Sequence, residues 1–113
     1  MSKPTDLVQG TLDLLILKIL ALEPLHGWAI AQRIRQMSDD VLQVGQSALY
    51  PALHKLERHG WIKAEWKQTP NNQRARYYTI TTEGRRQLGE QEDGFAQLLA
   101  AVKRVMTPRG THA

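Results

Sequence analysis

The chain is expected to fold as a mainly α protein carrying one β-hairpin, and three observations support that expectation. Residues 45–60, GQSALYPALHKLERHG, read as a helix with two faces and its own start and stop signals. Behind it, in WIKAEWKQT and RYYTIT, the apolar period changes from helical to alternating. A last seam of Leu88, Phe95, Leu99, Val102 and Met106 steps by 7, 4, 3 and 4, which predicts a long closing helix.

In chain order, residues 1–10 are polar, contain Pro4 and read as a loose arm. Thr11 is the expected cap of a helix reaching Leu22, closed by Glu23-Pro24. Leucines and isoleucines go almost all the way round that helix. Such a helix is buried on more than one side, and in a chain this small the second partner is expected to be another subunit. Leu25-His26-Gly27 reads as a turn. Residues 27–37 follow as a second helix with Ile30, Ile34 and Met37 inward and Gln32, Arg33, Arg35 and Gln36 outward. The loop at 38–44 holds Asp39-Asp40 and the apolar anchors Val41, Leu42 and Val44.

The third helix has an inward stripe of Leu49, Leu53 and Leu56 beside Ala48 and Ala52. Pro51 is tolerated only near a helix start, so the cap should lie near Gln46 or Ser47, and Gly60 supplies the stop. Its other face, Ser47, Tyr50, Pro51, His54, Lys55 and Arg58, is polar, aromatic and basic. Three helices with a short connection before the last make the helix-turn-helix order. The following strands enclose the polar loop 70–75, and a hairpin directly behind such a helix is a wing. Thr81 or Thr82 caps the final helix, with Glu83 favourably placed in its first turn. Gln91 or Glu92 interrupts the apolar seam, Gly89 and Gly94 weaken it by about 1 kcal/mol each, and Pro108 ends it before a frayed 109–113.

Length and composition bound the function. One hundred and thirteen residues suffice for one core, and the absence of cysteine excludes disulfide and thiol chemistry and fits a cytoplasmic location. The net charge of +4 is concentrated: residues 54–86 carry eight Lys/Arg against three acids, which points to a polyanionic partner. The apolar run 12–22 is too short for a membrane span and carries Asp13 and Lys18, so a membrane partner is not expected. Four histidines show no metal spacing, and there is no phosphate loop, nucleophile elbow or purposeful acid pair. Asp39-Asp40 reads as a solvated or capping pair. No metal, cofactor or enzyme activity is expected.

The segments LDLLILKIL, LHGWAIAQRI, SALYPALHKLERHGWI and RARYYTITTEGRRQL are similar to those of the PadR family of bacterial transcriptional regulators. Most specific are LYPAL followed by LE-x-x-G, and YY-x-I-T-x-E-G; the single-helix tail resembles the family's compact branch. The resemblance implies a homodimeric repressor that binds a two-fold-symmetric operator on double-stranded DNA and is released by a signal. It implies a winged helix-turn-helix DNA-binding domain at 1–82 (recognition helix about 46–59, wing about 61–81) and a C-terminal dimerisation helix with its tail at 83–113. Family members generally dimerise through that last helix against the partner's first helix. The dimer residues expected are therefore Leu12, Leu15, Ile16 and Ile19 with Leu88, Phe95, Leu99, Val102 and Met106.

Affinity should come mainly from phosphate neutralisation and sequence choice from a few groups in the major groove. Gln46, Ser47 and His54 are the candidates for base edges, with Ser47 open to a capping role and His54 to that of a plain surface histidine. Tyr50, Lys55 and Arg58 are the candidates for phosphates. At the wing, Asn72 and Arg74 are expected at the minor groove or backbone, whereas Arg76 could instead pair with Glu65. Trp28, Trp61 and Trp66 look like partners for an aromatic ligand, but Trp61 and Trp66 are better read as core. Phe95 is the better candidate for a small-molecule effector site. The alternative from another class is a winged-helix protein-interaction module that does not touch DNA; it leaves the concentrated charge unexplained.

Overall fold

The first helix is packed against each of the other helices and the central strand of the sheet. In the computed structural model, which describes residues 4–107 and the side chains from residue 11 onward, the order is α1 (Pro4–Leu22), β1 (Leu25–His26), α2 (Gly27–Met37), α3 (Gln46–Arg58), β2 (Ile62–Gln68), β3 (Arg74–Ile80) and α4 (Thr82–Met106). Helix α1 touches α2, α3, α4 and β3. Leu12, Leu14, Ile16, Leu17, Ile19 and Leu20 are buried inside a single chain. The second partner expected for α1 is therefore largely the chain itself; Leu15 is half-buried and Leu22 exposed.

Helix α1 also begins earlier than expected. The proposed arm is helical from Pro4, and Thr11 lies inside the helix rather than at its cap. Proline lacks an N–H and has a helical φ already set, so it fits the first helical position. Residues 1–3, the proline stop at 108 and the tail at 109–113 lie outside the described residues.

Leu25-His26-Gly27 is not a turn alone. Leu25 and His26 pair antiparallel with Tyr78 and Tyr77, giving a three-stranded sheet in the order β1-β3-β2. His26 then caps α2, its Nδ1 accepting from the Ala29 N–H at 3.2 Å. Strand β3 begins at Arg74, so Arg74 and Ala75 belong to the sheet rather than to the loop. Its register sets Ile62 opposite Ile80, Ala64 opposite Tyr78 and Trp66 opposite Arg76.

The core unites the α1 stripe with Ile30, Ile34, Leu49, Leu53, Leu56, Ile62, Tyr78, Ile80 and Leu88. Three expected inward residues lie outside it: Met37, Val41 and Trp66 are 61%, 78% and 58% exposed. Met37 is the last residue of α2 and Val41 lies in the loop beyond it. Trp66 keeps the inward strand phase, opposite Arg76, but no core residue covers it there. Leu42, Val44 and Trp61 do pack on the core.

Helix α3 stops as the glycine signal requires. Gly60 has φ +77°, its N–H donates to the Glu57 carbonyl and Trp61 N–H reaches back to Leu56, which is the Schellman arrangement. Helix α4 starts at Thr81, whose Oγ1 accepts from Gly84 N–H at 3.0 Å and donates to the Gly60 carbonyl at 2.7 Å. One hydroxyl thus ties the end of α3 to the start of α4. Glu83, in the first turn, accepts from Arg86, and that bond holds its carboxyl below the usual carboxylate range.

The interruption in the α4 seam has a local cause. Glu92 pairs with Lys18 of α1 at 3.1 Å, so this turn of the helix is tied to the domain by charge. Beyond it α4 has little intrachain cover: Phe95, Leu98, Leu99, Val102, Val105 and Met106 all count among the exposed large apolar residues. The protein is consequently 63 Å long and 29 Å wide.

Candidate nucleic-acid interface

Helix α3 begins at Gln46, as expected, but its cap lies one residue earlier than Gln46 or Ser47. Gly45 is the N-cap and provides no side-chain bond, so Ser47 is not the cap. Its side chain is exposed in the first turn beside Gln46, with Pro51 and His54 also exposed further along the helix. The buried stripe of Leu49, Ala52, Leu53 and Leu56 holds the opposite side of α3 on the core. The amphipathic division read from the sequence is therefore present in the structure.

Tyr50 is placed differently from its neighbours. Its ring packs over Gly27 at the start of α2, with the hydroxyl 2.8 Å from where a β-carbon of residue 27 would stand. The ring of Tyr50 is thus part of the α2–α3 contact. Burial pushes the nearby Tyr78 hydroxyl above its ordinary range, against the opposing pull of Arg76.

The cations of the basic stretch divide into paired and unpaired groups. Lys55 Nζ lies 2.6 Å from Oδ2 of Asp13 on α1. Arg76 pairs with Glu57 of α3 at 3.0 Å, not with Glu65. The register explains this: Glu65 stands opposite Tyr77 and therefore on the other face of the sheet from Arg76. The Arg76–Glu57 pair fastens the hairpin to α3. Among the described residues Arg58, Lys63, Lys67, Arg74 and Arg85 form no ion pair. The unneutralised positive charge is consequently on α3, the hairpin and the start of α4.

At the hairpin tip, Thr69 accepts from Asn72 N–H through its carbonyl and from Gln73 N–H through its hydroxyl. Asn72 takes the left-handed conformation with φ 66°, which asparagine tolerates better than most residues. The Arg74 guanidinium lies 5.3 Å from the Trp66 ring centroid. A diagonal cross-strand contact of this kind reduces the freedom of an exposed arginine before any ligand arrives. Sequence reasoning assigned Trp66 to the core and so missed this role.

Two clefts flank α3. One of about 500 Å³ is lined by Asp13, Ser47, Pro51, Lys55 and Arg58. The other, about 510 Å³, brings Trp28, Gln32, Arg35 and Gln43 beside Gln46. Trp28, Gln32 and Gln43 were not among the expected site residues, and no pattern in the chain marks them, because the packing of α2 and the 38–44 loop beside α3 brings them to Gln46. Arg35 is occupied by Asp40 at 2.9 Å.

The residues expected at a dimer contact fall into two groups. Leu12, Ile16, Ile19 and Leu88 are buried within the chain, so they can support a partner surface only from beneath. Leu15 lines a small groove of about 150 Å³ with Ile19, Ile34, Met37 and Leu42. Phe95, Leu99, Val102 and Met106 are open on α4, joined by Leu98 and Val105, which the seam had not included. Among the described residues no three metal-ligating side chains stand together, and no helix is long and apolar enough to cross a membrane.

This architecture recurs in solved structures. A transcriptional regulator from Clostridium thermocellum is 26% identical, with 88% of this chain and 96% of that chain covered and a TM-score of 0.80. A PadR family transcriptional regulator from Eggerthella lenta is 30% identical, with 92% and 88% covered and a TM-score of 0.76. An uncharacterised protein of Lysinibacillus sphaericus is 27% identical over 94 residues, 83% of this chain and 86% of the relative. The family model for PadR-like transcriptional regulators matches residues 16–90, well over half of the chain, and the protein belongs to that family.

Proposed function

We propose that this PadR-family regulator is a homodimeric, sequence-specific DNA-binding repressor, with residues 1–82 as the winged helix-turn-helix and 83–113 as the dimerisation arm. The observation that carries the DNA reading is the open edge of α3 next to unpaired cations. Gln46, Ser47 and His54 are exposed, Arg58 and Arg74 are in no ion pair, and Arg76–Glu57 holds the hairpin against α3. A helix edge of this kind fits a major groove, and a hairpin with a free arginine fits the flanking backbone or minor groove. The exposed apolar side of α4 supports a second copy as its partner. Release by a signal rests on the family resemblance, with Phe95 as the candidate effector contact on that same helix.

Selection of bound sequences from random duplexes tests the whole reading. A two-fold motif with half-sites about 34–36 Å apart, or a multiple of that, is the expected result. Gln46→Ala and Ser47→Ala should each relax choice at one position of the motif, at about 1–3 kcal/mol for a direct contact. Since neither side chain caps α3, thermal stability should stay put; unchanged base preferences would remove both from the reading head. Arg74→Ala should weaken all duplexes alike and flatten the salt slope by about one unit. An unaltered slope would take the wing out of the interface. A protein-interaction module, by contrast, would show no salt-dependent retention on heparin or bulk duplex.

A further inference from the structure

Asp13 is a largely covered acid beside the cationic edge of α3. Its side chain is only 17% exposed, and Lys55 Nζ lies 2.6 Å from Oδ2. The other oxygen, Oδ1, is buried with no hydrogen-bond partner among the described residues. Lys55 is thus the cation that compensates this carboxylate. Separating such a pair strands a desolvated charge, which is far costlier than opening an exposed surface pair.

The same carboxylate lines the cleft shared by Ser47, Pro51, Lys55 and Arg58. A phosphate arriving there meets an ammonium already bound to an anion, and a guanidinium that is not. Lys55 and Asp13 therefore act together as a near-neutral unit, whereas Arg58 presents its full charge. We propose that Asp13 is a positioning residue that limits DNA affinity by holding Lys55 out of phosphate neutralisation, an inference that rests on the DNA-binding reading above. Its consequence is a smaller sequence-independent contribution, which leaves base contacts a larger share of the binding free energy.

The test is a salt titration of binding to one fixed duplex, with a thermal melt of each variant to register folding. Asp13→Asn removes the charge at nearly constant shape. It should tighten binding about eightfold near 0.1 M salt and steepen the slope of log affinity against log salt by about 0.9. The double variant Asp13→Asn/Lys55→Gln removes both members of the near-neutral unit and should leave the slope at its wild-type value. Both charges are gone in that double variant, so it strands none and its slope can be read even if Asp13→Asn alone fails to fold. A slope that falls by about one unit in the double variant would show that Lys55 neutralises a phosphate directly and would overturn the proposal. So would a folded Asp13→Asn protein whose affinity and slope match the wild type. Wild-type protein without any salt-dependent duplex binding would overturn the DNA reading itself instead.

Discussion

Gly84→Ala is expected to cost about 3 kcal/mol of stability and to lower the melting temperature by roughly 10–20 °C. Gly84 lies in the first turn of α4, where a β-carbon would stand 2.0 Å from the Trp61 carbonyl oxygen and 2.8 Å from Ile80 Cγ1. That carbonyl accepts the Thr81 N–H at 3.0 Å, and Thr81 Oγ1 accepts from Gly84 itself. The methyl therefore forces apart the backbone joining α3 to β2 and the cap of α4, adding lost hydrogen bonds to the overpacking. Gly89 is the internal control, because a β-carbon there meets nothing within 4 Å. Its change to alanine should leave stability equal or raise it by about 1 kcal/mol. Circular dichroism melts decide the matter, and a Gly84→Ala protein melting within a few degrees of wild type would refute the close approach.

The double variant Leu99→Glu/Val102→Glu is expected to convert the proposed dimer into a folded monomer and to weaken operator binding by about 10²–10⁴-fold. Both side chains are more than 40% exposed in the single chain, so charge there should leave the subunit core intact. Paired α4 helices would have to bury those same positions, where four unpaired carboxylates cannot be accommodated. The loss on DNA follows from giving up the second, effectively intramolecular half-site contact. Sedimentation or light scattering reads the mass, and fluorescence anisotropy on the selected operator reads the affinity. A double variant that keeps the wild-type mass would move the interface elsewhere on the molecule.

How the chain could be read differs from residue to residue. The stripe of Leu49, Leu53 and Leu56, the glycine stop at Gly60 and the threonine cap at Thr81 are local signals, and the structure carries them in those roles. Ser47 looked equally suited to cap or to contact, and the backbone chose Gly45 as the cap. Arg76 had Glu65 along the strand pair as its expected partner, and Glu57 on α3 was not foreseen. Only register and sheet face could select Glu57. Trp66 shows the limit of alternation, which reports strand phase but not whether anything lies opposite that phase.

The order of helices, hairpin and closing helix was determined by the sequence alone, as were the inward residues Ile30 and Ile34 of α2, the leucine stripe of α3 and the concentration of charge behind residue 54. These follow from periodicity and from glycine, proline and threonine chemistry, which act within a few residues of chain. Tertiary structure decided which cations remain free, that α1 is covered mostly by its own chain, and that α4 is left open beyond Glu92. Those outcomes depend on distances between segments far apart in sequence. A charge is neutralised, or an apolar face covered, only by whatever the folded chain brings beside it.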